Sequence, residues 1–136
     1  MCVSSPIPLP EPVELRRSEW FVGVIAVTLA GLLSKLSPSR FERVLKFLKR
    51  GSRGSCYARA ARARNIVTSI SLRCAGEGCV QRSIASVIIC RFQGVWPTWN
   101  SGVRTKPFRA HAWISVDGRP VEEPESTSSF TPLISI

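Results

Sequence analysis

The segment "CVQRSIASVIICRF" at residues 79–92 lies between two glycines, Gly78 and Gly94. It is too long for an ordinary strand, and glycine at its end is a common helix stop. Val80, Ile84, Val87, Ile88 and Arg91 follow helical spacing, but apolar side chains also occupy other sides of the same helix. A helix that is apolar on several sides has to be buried. Whatever else the chain does, it must wrap its remaining elements around this one.

Those elements change character at Gly94. Before it the pattern is helical. A first helix is expected from about Pro12 to Leu36, with Leu29, Leu32, Leu33 and Leu36 as its buried stripe. Ser37-Pro38 restarts the chain as N-cap and first helical residue, and Phe41, Val44, Leu45 and Leu48 form the inward face of a second helix. Its basic residues Arg40, Arg43, Lys46, Lys49 and Arg50 stay solvated. After the break "GSRGS" (51–55), a third helix over about Cys56 to Ile70 turns Ala60, Ala63, Val67 and Ile70 inward. "CAGEG" (74–78) then reads as a glycine-rich loop feeding into Cys79.

Beyond Gly94 the sequence reads as short strands. "VWPTW" and "GVR" suggest an extended segment broken by a turn at Asn100-Ser101-Gly102, and "FRAHAWISV" (108–116) alternates as a strand should. Asp117-Gly118 is a hairpin signal, with "RPVEE" returning as partner and Pro120 placing it at an edge or bulge. Helices first and a small antiparallel sheet second make an α+β fold. Residues 1–12, "MCVSSPIPLPEP", read as an extended arm, 13–55 as an amino-terminal helical segment, and 56–136 as the core, with 13–55 and 56–136 expected as one compact domain.

Composition narrows the function classes. The net charge of +10 raises nucleic acid as a partner, but the basic residues are scattered without aromatic interleaving and no nucleic-acid-binding motif is present. Nucleic acid is therefore not expected, and a solvated basic surface or an acidic protein partner fits better. The five cysteines, Cys2, Cys56, Cys74, Cys79 and Cys90, are odd in number and irregular in spacing, which argues against a disulfide framework. They contain no CxxC pair, so no metal site is expected. Residues 1–12 do not read as a signal peptide, and the expected compartment is the reducing cytoplasm. "WFVGVIAVTLAGLL" (20–33) spans 14 residues, short of the roughly 20 that cross a bilayer. It is either a core helix or a partner-facing one.

One constellation carries chemistry. A thiolate is the reactive form of cysteine, and the first-turn amides and dipole of a helix favour negative charge at its start. Cys79 sits at such a start, and the same amides could hold an oxyanion. The one histidine of the chain, His111, lies on the later strand and supplies a candidate base. Three acids compete to orient it: Asp117, Glu122 and Glu123. Packing alone also accounts for a lone cysteine at a helix start, and a basic scaffold with an inert Cys79 is the corresponding non-enzymatic alternative.

"GCVQRSIAS" followed by "GVRTKPFRAHAWISVDGRPVEEP" closely resembles the lasso-peptide leader peptidases, the transglutaminase-like B proteins of lasso-peptide biosynthesis. The likeness covers roughly residues 70–136, and the amino-terminal helices fit more loosely. The resemblance implies a papain/transglutaminase-like fold, no cofactor, and a cysteine peptidase that removes the leader from a ribosomally made precursor peptide. It makes Cys79 the nucleophile and His111 the general base and later acid. Arg82 and Ser83 also match the family pattern, although anchoring the helix explains them equally well. Fused members carry a leader-recognition domain ahead of the protease. Residues 1–55 are too short and too helical for one, so a separate recognition protein is expected, with an ATP-dependent lasso cyclase taking the product. A transglutaminase-type acyl transfer to an amine is the alternative within enzymes.

The orienting acid is open on the residues themselves. With a tight turn at Asp117-Gly118, Trp113 faces Glu122, which places Glu122 on the face of His111. Asp117 is explained by turn chemistry. The family motif instead aligns its usual aspartate with Glu123, and a one-residue bulge near Pro120 would reconcile the two. Glu123 is the expected third member, one methylene longer than the family's residue.

Overall fold

The computed structural model describes residues 13–71, 74, 78–123 and 125–136. The arm expected over 1–12 and the centre of the loop expected at 74–78 lie outside the described residues.

Helix α1 runs Arg17–Leu33, inside the expected span. It starts where Glu19 reaches back to accept the Arg16 amide at 3.2 Å, a capping-box contact that fixes the first turn. Arg62 clamps the same carboxylate at 2.9 Å and also reaches the Glu14 carbonyl. The buried face is not the expected leucine stripe. Gly23, Ala26 and Ala30 face inward, while Leu29 and Leu32 stand 41% and 59% exposed. Small side chains win because they let the helix axes approach: a methyl at Gly23 would lie 2.1 Å from Ile70 Cδ1. The consequence is an outward apolar face of Trp20, Phe21, Ile25, Leu29 and Leu32.

Helix α2 (Pro38–Lys49) follows Ser37 at the N-cap position, as the Ser-Pro step predicts. Leu45 is fully buried, and Phe41 meets Trp99 edge-on at 5.1 Å. Arg91 reaches back from the next-but-one helix to the carbonyls of Leu48 (2.6 Å) and Arg50 (3.2 Å). Those are carbonyls that a helix end leaves unsatisfied. A short strand, β1 (Arg53–Gly54), leads to α3 (Tyr57–Ile70), whose inward residues are Ala60, Ala63, Ile66, Val67 and Thr68.

Helix α4 (Cys79–Phe92) is the buried centre that its composition demands: every residue from Arg82 to Cys90 is buried. It packs against α1, α3 and the sheet. Strand β2 (Val95–Trp96) pairs in parallel with β1. The main sheet is antiparallel in the order β5-β4-β3-β6, built from β3 (Thr98–Thr105), β4 (Phe108–Val116), β5 (Arg119–Pro120) and β6 (Thr131–Ser135). A 3₁₀ turn at Glu125–Ser129 precedes β6.

The expected turn at Asn100-Ser101-Gly102 is instead the middle of β3. Asn100 is buried and bridges strands, its amide donating to Ser115 Oγ (2.9 Å) and its carbonyl oxygen accepting from Ser135 Oγ (2.8 Å). Gly102 is there because β6 comes too close for a side chain: a Cβ would sit 2.4 Å from the Thr131 carbonyl oxygen. The register against β6 also shifts between Ser101 and Gly102. Asn and Gly, which resemble a turn in sequence, serve here as a cross-strand linker and a close-approach site. The Asp117-Gly118 hairpin forms as its chemistry predicts, with φ of +51° and +79° and Val116 opposite Arg119. Among the described residues, no helix is long and apolar enough to cross a membrane.

Candidate active site

Strand β4 ends in a run of buried residues from His111 to Val116. His111 is 7% exposed and packed between rings, stacked on Trp113 at 5.7 Å and tilted against Phe130 at 5.4 Å. Its Nε2 lies 3.0 Å from Glu123 Oε2. A carboxylate accepts there, so the proton sits on Nε2 and the lone pair on Nδ1. Nδ1 is buried and has no hydrogen-bond partner among the described residues. The imidazole is thus oriented through one nitrogen, with the other not engaged by any described residue.

The acids separate cleanly. Asp117 is exposed at the hairpin tip. Glu122 is exposed as well, and its backbone amide donates to Tyr57 Oη at 3.1 Å. Ladder pairing of β5 stops at Pro120, and the Val121 amide makes the last step by donating to the Ile114 carbonyl. Glu122 then adopts φ +52°, and this single left-handed residue exchanges the faces. A straight continuation of the register would turn Glu122 toward His111. The twist brings Glu123 there instead, with its side chain 3% exposed.

Two arginines complete the surroundings of Glu123. Arg82 on α4 and Arg64 on α3 place their Nη2 atoms 3.7 and 3.6 Å from Glu123 Oε1. Burial pushes the Glu123 carboxyl up, but the His111 hydrogen bond and the two guanidinium charges outweigh it, so the group is held below its ordinary 4.5. Arg64 was not singled out by motif. Its signal in the sequence is a charge on the inward stripe of α3, four residues after Ala60 and three before Val67. Ser83 serves packing, taking the Trp99 indole N–H at 3.0 Å and so tying α4 to β3.

Cys79 opens α4, with Gly78 at the N-cap position and no side chain capping the first turn. Arg82 is its i+3 neighbour on the same helical face, so the turn that carries the sulfur is the turn that reaches Glu123. Cys79 is 1% exposed and disulfide-bonded, whereas Cys56 and Cys90 are free thiols. Cys2 lies outside the described residues. No disulfide framework is expected from the cysteine count and spacing, and the bond at Cys79 is a departure from that expectation. A cysteine at a helix start has amides that favour its thiolate, the form that enters thiol–disulfide exchange. Cys90, by contrast, is pushed up to about 12 by burial and is inert.

Neither the curated proteins nor the solved structures contain a match to this chain. Its residues 23–135, from α1 to the end of β6, match the family model of the transglutaminase-like superfamily. That span contains the helix-start cysteine, the strand histidine and the acid that grips it, and the chain belongs to the transglutaminase-like superfamily.

Proposed function

We propose that this chain is a cysteine peptidase that removes the leader from a lasso-peptide precursor, acting with a separate leader-recognition protein. The observation that carries the reading is His111 itself: Nε2 is held by a buried carboxylate, and Nδ1 is buried with no hydrogen-bond partner among the described residues. Superfamily membership supports acyl chemistry at a cysteine, and the resemblance of the motifs around Cys79 and His111 to the lasso-peptide leader peptidases supports leader removal.

In the reduced protein the Cys79 thiol gives its proton to His111 Nδ1, and the resulting thiolate attacks the carbonyl carbon joining leader to core. The first-turn amides of α4 donate hydrogen bonds to the developing oxyanion. As the C–N bond breaks, His111 delivers a proton to the leaving amine of the core, and the leader remains as a thioester. Water then attacks with His111 as base, releasing the leader carboxylate and the thiolate. Glu123 keeps the imidazole oriented and stabilises its charged form without taking the proton. The freed core amine is the substrate of the ATP-dependent cyclase. The work is expected in the cytoplasm, where reduction releases Cys79 from its disulfide. The outward apolar face of α1 offers the recognition protein a surface that the core does not use.

The test is alkylation of the reduced protein. Iodoacetamide should label Cys79 fast, His111→Ala should slow it, and Cys79→Ala should abolish precursor processing without unfolding the chain. Processing by a clean Cys79→Ala preparation would end the cysteine-peptidase reading.

A further inference from the structure

Resting on the peptidase reading above, we infer that Arg82 is a positioning residue that sets the nucleophile and the base in register, with Arg64 as its support. A buried guanidinium is costly to desolvate and persists only where its donors are well used. The Arg82 side chain is 7% exposed, and two of its contacts point in different directions. Nη1 donates to the Cys74 carbonyl at 3.0 Å, and Nη2 lies 3.7 Å from Glu123 Oε1. Cys74 precedes the segment that delivers Cys79, Arg82 itself stands one turn into α4, and Glu123 orients His111. The chain leading to the sulfur, the helix carrying it and the acid behind the base therefore meet at one planar group.

The two oxygens of Glu123 divide the work. Oε2 faces His111 from β4, and Oε1 faces Arg82 from α4 and Arg64 from α3. Holding Oε1 from two helices fixes the rotation of the carboxylate, and hence the direction from which Oε2 meets the imidazole. A longer acid has more torsional freedom than an aspartate, so the second guanidinium has a purpose. Anchoring α4 alone would require only the Cys74 contact. The contact to Oε1 is the one that ties the helix to the base.

The experiment measures the iodoacetamide labelling rate of Cys79 in reduced protein as a function of pH, read by mass spectrometry. Arg82→Lys retains the charge, so the field on the imidazole is little changed, but an ammonium cannot span both partners. Its labelling plateau should fall about tenfold and its acid limb rise by about one pH unit, because the imidazolium is no longer held against the thiolate. Arg64→Lys should shift the profile in the same direction by less, since among the described residues Arg64 reaches only the carboxylate. An Arg82→Lys profile superimposable on wild type, with intact circular dichroism, overturns the inference. If Arg82→Lys does not fold, Arg64→Lys decides: a shifted profile supports the clamp, and an unshifted one overturns it. Fast wild-type labelling that His111→Ala leaves unchanged would instead overturn the peptidase reading, and this inference with it.

Discussion

Glu123→Gln removes one charge and almost no volume, so its cost can be worked from the contacts. The wild-type carboxylate, 3% exposed, meets His111 at 3.0 Å, Arg64 at 3.6 Å and Arg82 at 3.7 Å. Removing one member of a buried charged cluster leaves the others uncompensated, at about 3–5 kcal/mol. A domain of this kind holds about 5–15 kcal/mol in total, so the variant should still fold, with a Tm lower by roughly 10–15 °C. The pH dependence changes with it. Because the folded Glu123 is held below its ordinary 4.5, its contribution is complete above that value and is lost as pH falls through the lowered one. The variant should therefore lose less stability than wild type on acidification. Catalysis should suffer more than stability, by about 10²–10⁴-fold in kcat, since a neutral amide neither enforces the tautomer nor supports the imidazolium. Precursor processing followed by mass spectrometry, beside thermal melts at pH 7 and pH 4, provides both readouts. Glu122→Gln, at an exposed position, should stay within about 0.5 kcal/mol and near wild-type rate. A severely impaired Glu122→Gln beside an active Glu123→Gln would refute the reasoning.

Two further outcomes follow from the core. In reduced protein at pH 8, Cys90 should remain unlabelled by iodoacetamide, because a thiol pushed up to about 12 is roughly one part in ten thousand thiolate there, and labelling of Cys90 on the time scale of Cys79 would show its burial to be wrong. Gly23→Ala should lower Tm by several degrees despite alanine's better helix propensity, because its methyl would meet Ile70 at 2.1 Å and overpacking of this kind costs about 1–3 kcal/mol. A raised Tm would mean that α1 can slide away from α3 freely.

What the residues reveal of this fold depends on how local the cause is. Strand β4, the Asp117-Gly118 hairpin and the Ser37-Pro38 helix start are settled by neighbours in sequence, and they stand where periodicity and turn chemistry place them. The inward face of α1 is not local. Leucines at helical spacing look like a core stripe, yet the choice between them and Gly23, Ala26 and Ala30 is made by how closely α3 and α4 approach. Asn100 and Gly102 mislead for a related reason, since one is selected by a cross-strand bond and the other by a neighbouring carbonyl. At the site, Glu122 follows from the period-two rule and Glu123 from the family motif. The left-handed φ at Glu122 that separates them has no glycine or asparagine to announce it. Arg64 and Arg82 are legible as charges at inward positions, but the carboxylate they share is brought to them only by the fold.

The most direct measurement is mass spectrometry of a lasso precursor peptide incubated with the reduced chain, with and without its leader-recognition protein. The account predicts one cut between leader and core, yielding a leader with a free carboxylate and a core with a free amine. It should be slow with the chain alone and sharply faster with the partner, because a bound leader presents its cleavage site at high local concentration. A leader joined to an added amine would mark a transglutaminase-type transfer instead. An intact precursor in the presence of the partner and reductant, with Cys79 verified as a thiol, would contradict the account.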